Sequence, residues 1–330
     1  MLLACGGYKQ AGGRKILRNY KLIIRYDGTR YKGWEHQPGT DMTIQGKMEL
    51  AVIRMLNPSG KASFQEGAGN SEVNAGRSEA DVRNAEADTR NSETYDVRAA
   101  AANGKSLQAA GQDCAAGRNC LGSFEGNIPE IISAGRTDGG VHALGMCANV
   151  HLDTGLNCTQ IRDGLNRNLP DDICVISAEI VPDRFHARYN ATGKTYRYTC
   201  YAGELKPVFD RRYCYELGSV PDIGEMRRAA GYIIGEHDFT SFCGNPKMKK
   251  SCVRCVDRID IEYSDERLTF TYHGTGFLQY MVRIMTGTLL EVGLGKRSSD
   301  SVPDILEARD RSQAGFTAPA RGLSLVSVDY

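Results

Sequence analysis

Apolar and polar positions alternate from Tyr20 to Tyr26. Tyr20, Leu22, Ile24 and Tyr26 fall on one face and Lys21, Ile23 and Arg25 on the other, a pattern that predicts a strand. Asp27-Gly28-Thr29 closes it as a turn. Thr43 is placed to cap a helix in which Ile44, Met48, Ala51, Val52, Met55 and Leu56 recur at helical spacing, and Asn57-Pro58 stops it. Ile131 and Ile132 read as the end of a buried strand. Met146, Ala148, Val150 and Leu152 alternate as the strand that follows. Ile161 and Leu165 predict a short helix, and Ile173 to Val181 a buried strand. Tyr196 and Tyr198 share one face of a strand with Arg197 on the other. A helix over Ile223 to Ile234 and strands from about Val253 to Tyr263 and Leu268 to His273 come next. A nearly all-apolar helix, Phe277 to Val292, and a strand ending at Tyr330 complete the chain.

The order strand, helix, strand, strand, helix, strand therefore occurs twice. It predicts an α+β fold of two similar halves, with mostly antiparallel sheet flanked by helices. Residues 1–18 read as a loose leader, 19–182 as the first half and 183–330 as the second. Residues from about 60 to 127 break the pattern. They are rich in Ala, Gly, Asn, Ser, Glu and Arg, with few aliphatic positions. Such a segment buries too little apolar surface to offset its ordering entropy, and it is expected to be a low-complexity insertion.

Composition narrows the classes. Forty-one Lys and Arg against forty Asp and Glu leave a net charge of +1, so any nucleic-acid binding must come from local basic patches. Eleven cysteines without regular spacing read as reduced thiols in the cytoplasm. Cys252 and Cys255 form a C-x-x-C, but no second pair accompanies it, so structural thiols are expected rather than a zinc site. No apolar run is long enough to span a bilayer.

The stretch Ser133-Ala134-Gly135-Arg136-Thr137-Asp138-Gly139-Gly140-Val141-His142-Ala143-Leu144 carries the candidate chemistry. Three glycines let backbone approach a ligand closely, and the loop presents one carboxylate, Asp138, and one guanidinium, Arg136. Taken alone, the same Asp could simply bond its own turn. Arg283 interrupts the apolar helix. A buried guanidinium needs an acceptor, so a carboxylate is expected beside it unless the long stem reaches solvent. Trp34, the one tryptophan, is expected in the core. His142 and His186 are read as structural hydrogen-bonders.

Several separated motifs agree in order with one family. Tyr26-Asp27-Gly28-Thr29 with Gly33-Trp34, Gly135-Arg136-Thr137-Asp138 with Gly140-Val141-His142-Ala143, Phe185-His186-Ala187-Arg188, Lys194 to Tyr198, His237-Asp238-Phe239, Met281-Val282-Arg283 and Gly322-Leu323 resemble the TruA family of tRNA pseudouridine synthases. The resemblance covers residues 20–59 and 128–330. It implies the pseudouridine synthase fold and a cytoplasmic homodimer. The implied activity isomerises uridine to pseudouridine at positions 38, 39 and 40 of the tRNA anticodon arm, with neither a metal nor an organic cofactor and no membrane partner. Asp138 matches the family's catalytic aspartate and Arg283 the basic residue paired with it. Arg136 matches the arginine that helps extrude the target base, and Tyr196 the tyrosine lying against the uracil. Gly139 stands where alanine is usual and Met146 where glutamine is common, and Glu35 and His36 vary the residues after the tryptophan. Candidate phosphate contacts are Arg25, Arg30, Lys32, Lys194, Arg197, Arg211, Arg212, Lys247, Lys249 and Lys250. The alternative is a non-catalytic tRNA-binding or tRNA-folding module on the same scaffold.

Overall fold

The computed structural model describes residues 17–57, 129–245 and 247–330. The leader up to residue 16 and the insertion at about 60–127 lie outside the described residues. In chain order the elements are β1 (Leu17–Tyr26), α1 (Ile44–Leu56), β2 (Ile132–Ser133), β3 (His142–Asp153), α2 (Cys158–Asn166), β4 (Ile173–Val181) and β5 (Gly193–Tyr201). They continue with β6 (Tyr215–Glu216), α3 (Ile223–Ile233), β7 (Gly235–Asp238), β8 (Val253–Ser264), β9 (Arg267–Gly274), α4 (Met281–Gly293), α5 (Val302–Ala308) and β10 (Leu323–Asp329).

The ten strands form one sheet in the order β4-β1-β3-β10-β5-β9-β8-β7, with β2 added to β3 and β6 to β5. Pairing is antiparallel except where β10 meets β3 and β6 meets β5. The β3–β10 pair is the seam. Strands from before residue 182 lie on one side of it and those from after 183 on the other, so the two expected halves share a continuous sheet. Tyr20, Leu22 and Ile24 of β1 and Tyr198, Phe270 and Tyr272 of β5 and β9 belong to one buried core cluster.

Sequence and structure differ at four places. β1 begins at Leu17 rather than after a leader ending at residue 18, because β3 runs on to Asp153 and pairs it with Leu17. β4 is an edge strand rather than a fully buried one, and Ile176 and Ile180 on it are exposed. β6, β7 and α5 are short elements whose periodicity is too brief to read. The last long helix starts at Met281 instead of Phe277, because Tyr280 has a left-handed backbone, φ 60°, which α-helix excludes. The other helix starts follow local chemistry. Thr43 accepts from the Gly46 amide to cap α1, Asn157 and Gln160 form a reciprocal capping box on α2, and Asp222 caps α3. Among the described residues no helix is long and apolar enough to cross a membrane.

Candidate active site

The loop between β2 and β3 is fixed by backbone before any side chain acts. Ala134 N donates to Cys147 O on β3 at 2.8 Å, and Trp34 N donates to Thr137 O at 3.1 Å. Gly140 N donates to Tyr31 O at 3.2 Å, and Gly33 and Asp138 form an isolated β-bridge. The 28–34 segment thus lies directly along the loop that carries Asp138. Gly33 is needed there: its φ is +111°, and a Cβ would stand 2.7 Å from Thr137 O. The Tyr26 hydroxyl shares a 2.7 Å hydrogen bond with Thr137 Oγ1, so β1 also holds the loop.

His142 closes the loop's far end. Its Nδ1 accepts from the Gly28 amide at 3.1 Å, so Nε2 carries the proton and donates toward Arg212 O (3.0 Å) and Arg321 O (3.2 Å). A histidine so occupied is a structural tie. His186 is one too, since its Nδ1 accepts from the Arg188 and Tyr189 amides.

Asp138 faces a cavity of about 620 Å³, within the usual size for small-molecule sites, roughly 300–1,000 Å³. Arg283 reaches it from the first turn of α4. Its Nη1 donates to Asp138 Oδ2 at 3.2 Å while its Nε donates to Ala318 O at 2.7 Å. The two side chains are 15% and 25% exposed, so the guanidinium is paired inside rather than drawn out to solvent. Burial raises the Asp138 carboxyl above the ordinary carboxylate range, and the charge and hydrogen bond of Arg283 pull it back down. The Tyr280 ring packs over the Arg283 guanidinium, 5.0 Å from ring centroid to Cζ.

Tyr196 forms part of the wall. It is 8% exposed, sits edge-on to Phe277 with centroids 5.2 Å apart, and lies close enough to Asp138 for that charge, after burial, to raise its hydroxyl pKa. Its phenol is therefore neutral throughout the physiological range. Arg136 lies at the rim, 60% exposed, with Nη2 2.5 Å from Glu35 Oε1. The structure thus brings Asp138, Arg283, Tyr196 and Arg136 around one cavity.

The candidate phosphate contacts divide. Lys32, Lys194 and Lys250 line the cavity. Arg30 does not, being paired with Asp172 at 2.6 Å, and Arg25, Arg197, Arg211, Arg212, Lys247 and Lys249 also lie outside the lining. Sequence reasoning missed Arg254, the Tyr280 ring, the Phe277 contact and the Glu35–Arg136 pair. Arg188 was visible only as part of a motif. Trp34 is buried as expected, yet it also contributes to the cavity wall.

Charge around the cavity is one-sided. Its two carboxylates, Asp138 and Glu35, each have an arginine partner. Lys32, Arg188, Lys194, Lys250 and Arg254 have no carboxylate partner among the described residues. That excess suits a polyanion. Among the described residues no group of three or more His, Cys, Asp and Glu is placed to hold a metal.

Comparison with known proteins decides the family. The model for tRNA pseudouridine synthase matches residues 22–190 and 229–330. The chain belongs to the tRNA pseudouridine synthase family. Curated relatives agree along nearly the whole length. A tRNA pseudouridine synthase A from a Bacillus species (strain KSM-64) is 35% identical over 314 residues, 95% of this chain and 100% of the relative. One from Acetivibrio thermocellus has the same identity and coverage, and a tRNA pseudouridine synthase A 2 from Bacillus cereus is 33% identical over the same length.

Proposed function

We propose that this chain is a tRNA pseudouridine synthase acting on uridines 38, 39 and 40 of the anticodon arm, with Asp138 as its catalytic carboxylate. The reaction breaks the bond from ribose C1′ to uracil N1, turns the base and joins C5 to C1′. The C5 proton is lost and N1 gains one, so the change is an isomerisation with no net redox.

The observation that carries the reading is the Asp138–Arg283 pair, recessed in a cavity where Lys32, Arg188, Lys194, Lys250 and Arg254 have no carboxylate partner among the described residues. A carboxylate beside a ribose has two ways to act, as nucleophile at C1′ or as base on the sugar, and it must be ionised for either. Burial opposes ionisation and Arg283 offsets part of that opposition. Arg283, also tied to Ala318 O, holds the carboxylate in place as well. The target base is stacked in its RNA and must be flipped out, at a cost of a few kcal/mol. Tyr196 offers the flipped uracil a ring, with stacking worth about 1–3 kcal/mol. Arg136, exposed at the rim, fills the space the base leaves in this reading. Its ion pair with Glu35 is solvent-exposed and weak enough to be exchanged for an RNA contact. A cytoplasmic homodimer completes the proposal and rests on the family resemblance.

The test is to incubate the full chain with an unmodified tRNA transcript carrying uridines at 38–40 and map pseudouridine by carbodiimide adduct stops in primer extension. Stops confined to those positions support the reading. Stops elsewhere overturn the assignment of positions, and bound but unmodified tRNA favours a binding module.

A further inference from the structure

The cavity wall carries an arrangement that the catalytic pair does not use. Lys194 enters from the start of β5, two residues before Tyr196. Its Nζ donates to Ala134 O at 2.8 Å, which sets the ammonium against the base of the Asp138 loop. Gly135 leaves the room for it, since a Cβ there would lie 3.1 Å from Nζ.

The charged groups bearing on this ammonium are Arg188, from the segment joining β4 to β5, and Arg254, on β8. Both are cations. Arg254 Nη1 donates to the carbonyls of Ser251 and Val253, at 2.9 and 2.6 Å, and so is held in place without being neutralised. The strand neighbours of Lys194, Gly274 on β9 and Val328 on β10, carry no charge. Asp138 and Glu35 face the same cavity but are taken by Arg283 and Arg136. Three like charges therefore line the same half-buried wall with no carboxylate partner among the described residues. The strain registers on Lys194, whose pKa falls to about 8, first through burial and then through the two arginines.

Two guanidinium forks and an ammonium match a tetrahedral, singly charged phosphodiester better than a lone carboxylate would. We propose that Lys194, Arg188 and Arg254 form a socket for one backbone phosphate of the RNA beside the reacting nucleotide, anchoring the strand while the base detaches and turns. This rests on the reading of the cavity as the uridine site. It adds an assigned role: the socket fixes which nucleotide of the strand can reach Asp138.

The experiment is calorimetric titration of the full chain with an unmodified tRNA transcript, at pH 6.5 and 8.0, in two buffers of different ionisation enthalpy. A phosphate beside Lys194 restores its proton, so binding at pH 8.0 is expected to take up about half a proton and binding at pH 6.5 almost none. Lys194→Arg is expected to bind without that uptake. Lys194→Met is expected to bind about 10-fold more weakly, with a salt dependence shallower by about one phosphate, and its loss in pseudouridine formation is expected mainly in KM. Inorganic phosphate at matched ionic strength is expected to compete only at tens of millimolar. Wild-type binding at pH 8.0 with no proton uptake overturns the socket even if the variants fail to fold. So does tight binding of inorganic phosphate that leaves tRNA binding unaffected, which marks a free-anion site. Pseudouridine formation by the same preparation is scored separately, so an active enzyme with no uptake refutes the socket alone, and an inactive one refutes the underlying reading.

Discussion

Arg283 Nη1 stands 3.2 Å from Asp138 Oδ2, and the same guanidinium is anchored through Nε to Ala318 O at 2.7 Å. The carboxylate is thereby held by a backbone-anchored group whose charge offsets part of the cost of burying it. Because burial raises the Asp138 pKa and Arg283 lowers it, activity is expected to rise with pH along an acid limb lying above the ordinary carboxylate range. In Arg283→Gln the opposing charge is gone, so the limb is expected to move to higher pH. Single-turnover rates from pH 4.5 to 8 measure both. A limb that stays in place in the variant contradicts the electrostatic role of Arg283.

Gly33 ties a segment far upstream to the residue that does the chemistry. Its φ of +111° and the 2.7 Å approach of Thr137 O to the site of a Cβ leave no room for a side chain. Gly33→Ala is expected to cost about 1–3 kcal/mol of stability through backbone strain. It should also cost about 100-fold in turnover, because the displaced backbone is the one bearing Asp138. Thermal melts and rates on the folded fraction separate the two effects.

Tyr196 contributes through its ring, since burial and the Asp138 charge keep its hydroxyl protonated. Tyr196→Phe is expected to retain activity within about 5-fold. Tyr196→Ala is expected to lose about 5- to 150-fold, the equivalent of about 1–3 kcal/mol of lost stacking. Equal losses in the two variants would move the role to the hydroxyl.

How much of this was readable from the chain depends on how local the signal was. Arg283 could be found because one charge in an apolar helix demands a partner, and Asp138 because a glycine-rich strand–loop–strand presents it. Tyr196 followed from strand alternation and the family motif. The left-handed Tyr280 leaves no trace in sequence, because nothing in Gln279-Tyr280-Met281 marks a positive φ; only the close packing of Gly244 on its ring shows how it is accommodated. The Lys194 environment is equally hidden, since Arg254 reaches it from a distant strand through sheet topology. Ten basic residues looked alike along the chain, and the fold selects three of them for the cavity.

His273 links three strands and should register in stability. Its Nδ1 is 2.6 Å from Asp257 Oδ1 on β8 and its Nε2 2.9 Å from Asp329 Oδ2 on β10. Both carboxylates raise its pKa, first through hydrogen bonds to Asp329 and Asp257. A histidine with a raised folded pKa stabilises fully below the unfolded value, near 6.5, and loses that contribution as pH climbs through the folded pKa. The melting temperature of the wild type relative to His273→Gln is therefore expected to be highest near pH 6 and to converge toward zero difference by pH 9. A difference that does not change with pH contradicts the ion-pair account.

The most direct measurement is tritium release from C5-labelled uridine in unmodified tRNA, with wild type and Asp138→Asn side by side. Asparagine keeps an acceptor for Arg283 and removes a charge that burial disfavours, so the variant's melting temperature at pH 7 is expected to be no lower than the wild type's. Release by the wild type, with more than about a 1,000-fold loss in the folded, tRNA-binding variant, is the predicted result. Comparable release by both proteins would contradict the assignment of the chemistry to Asp138.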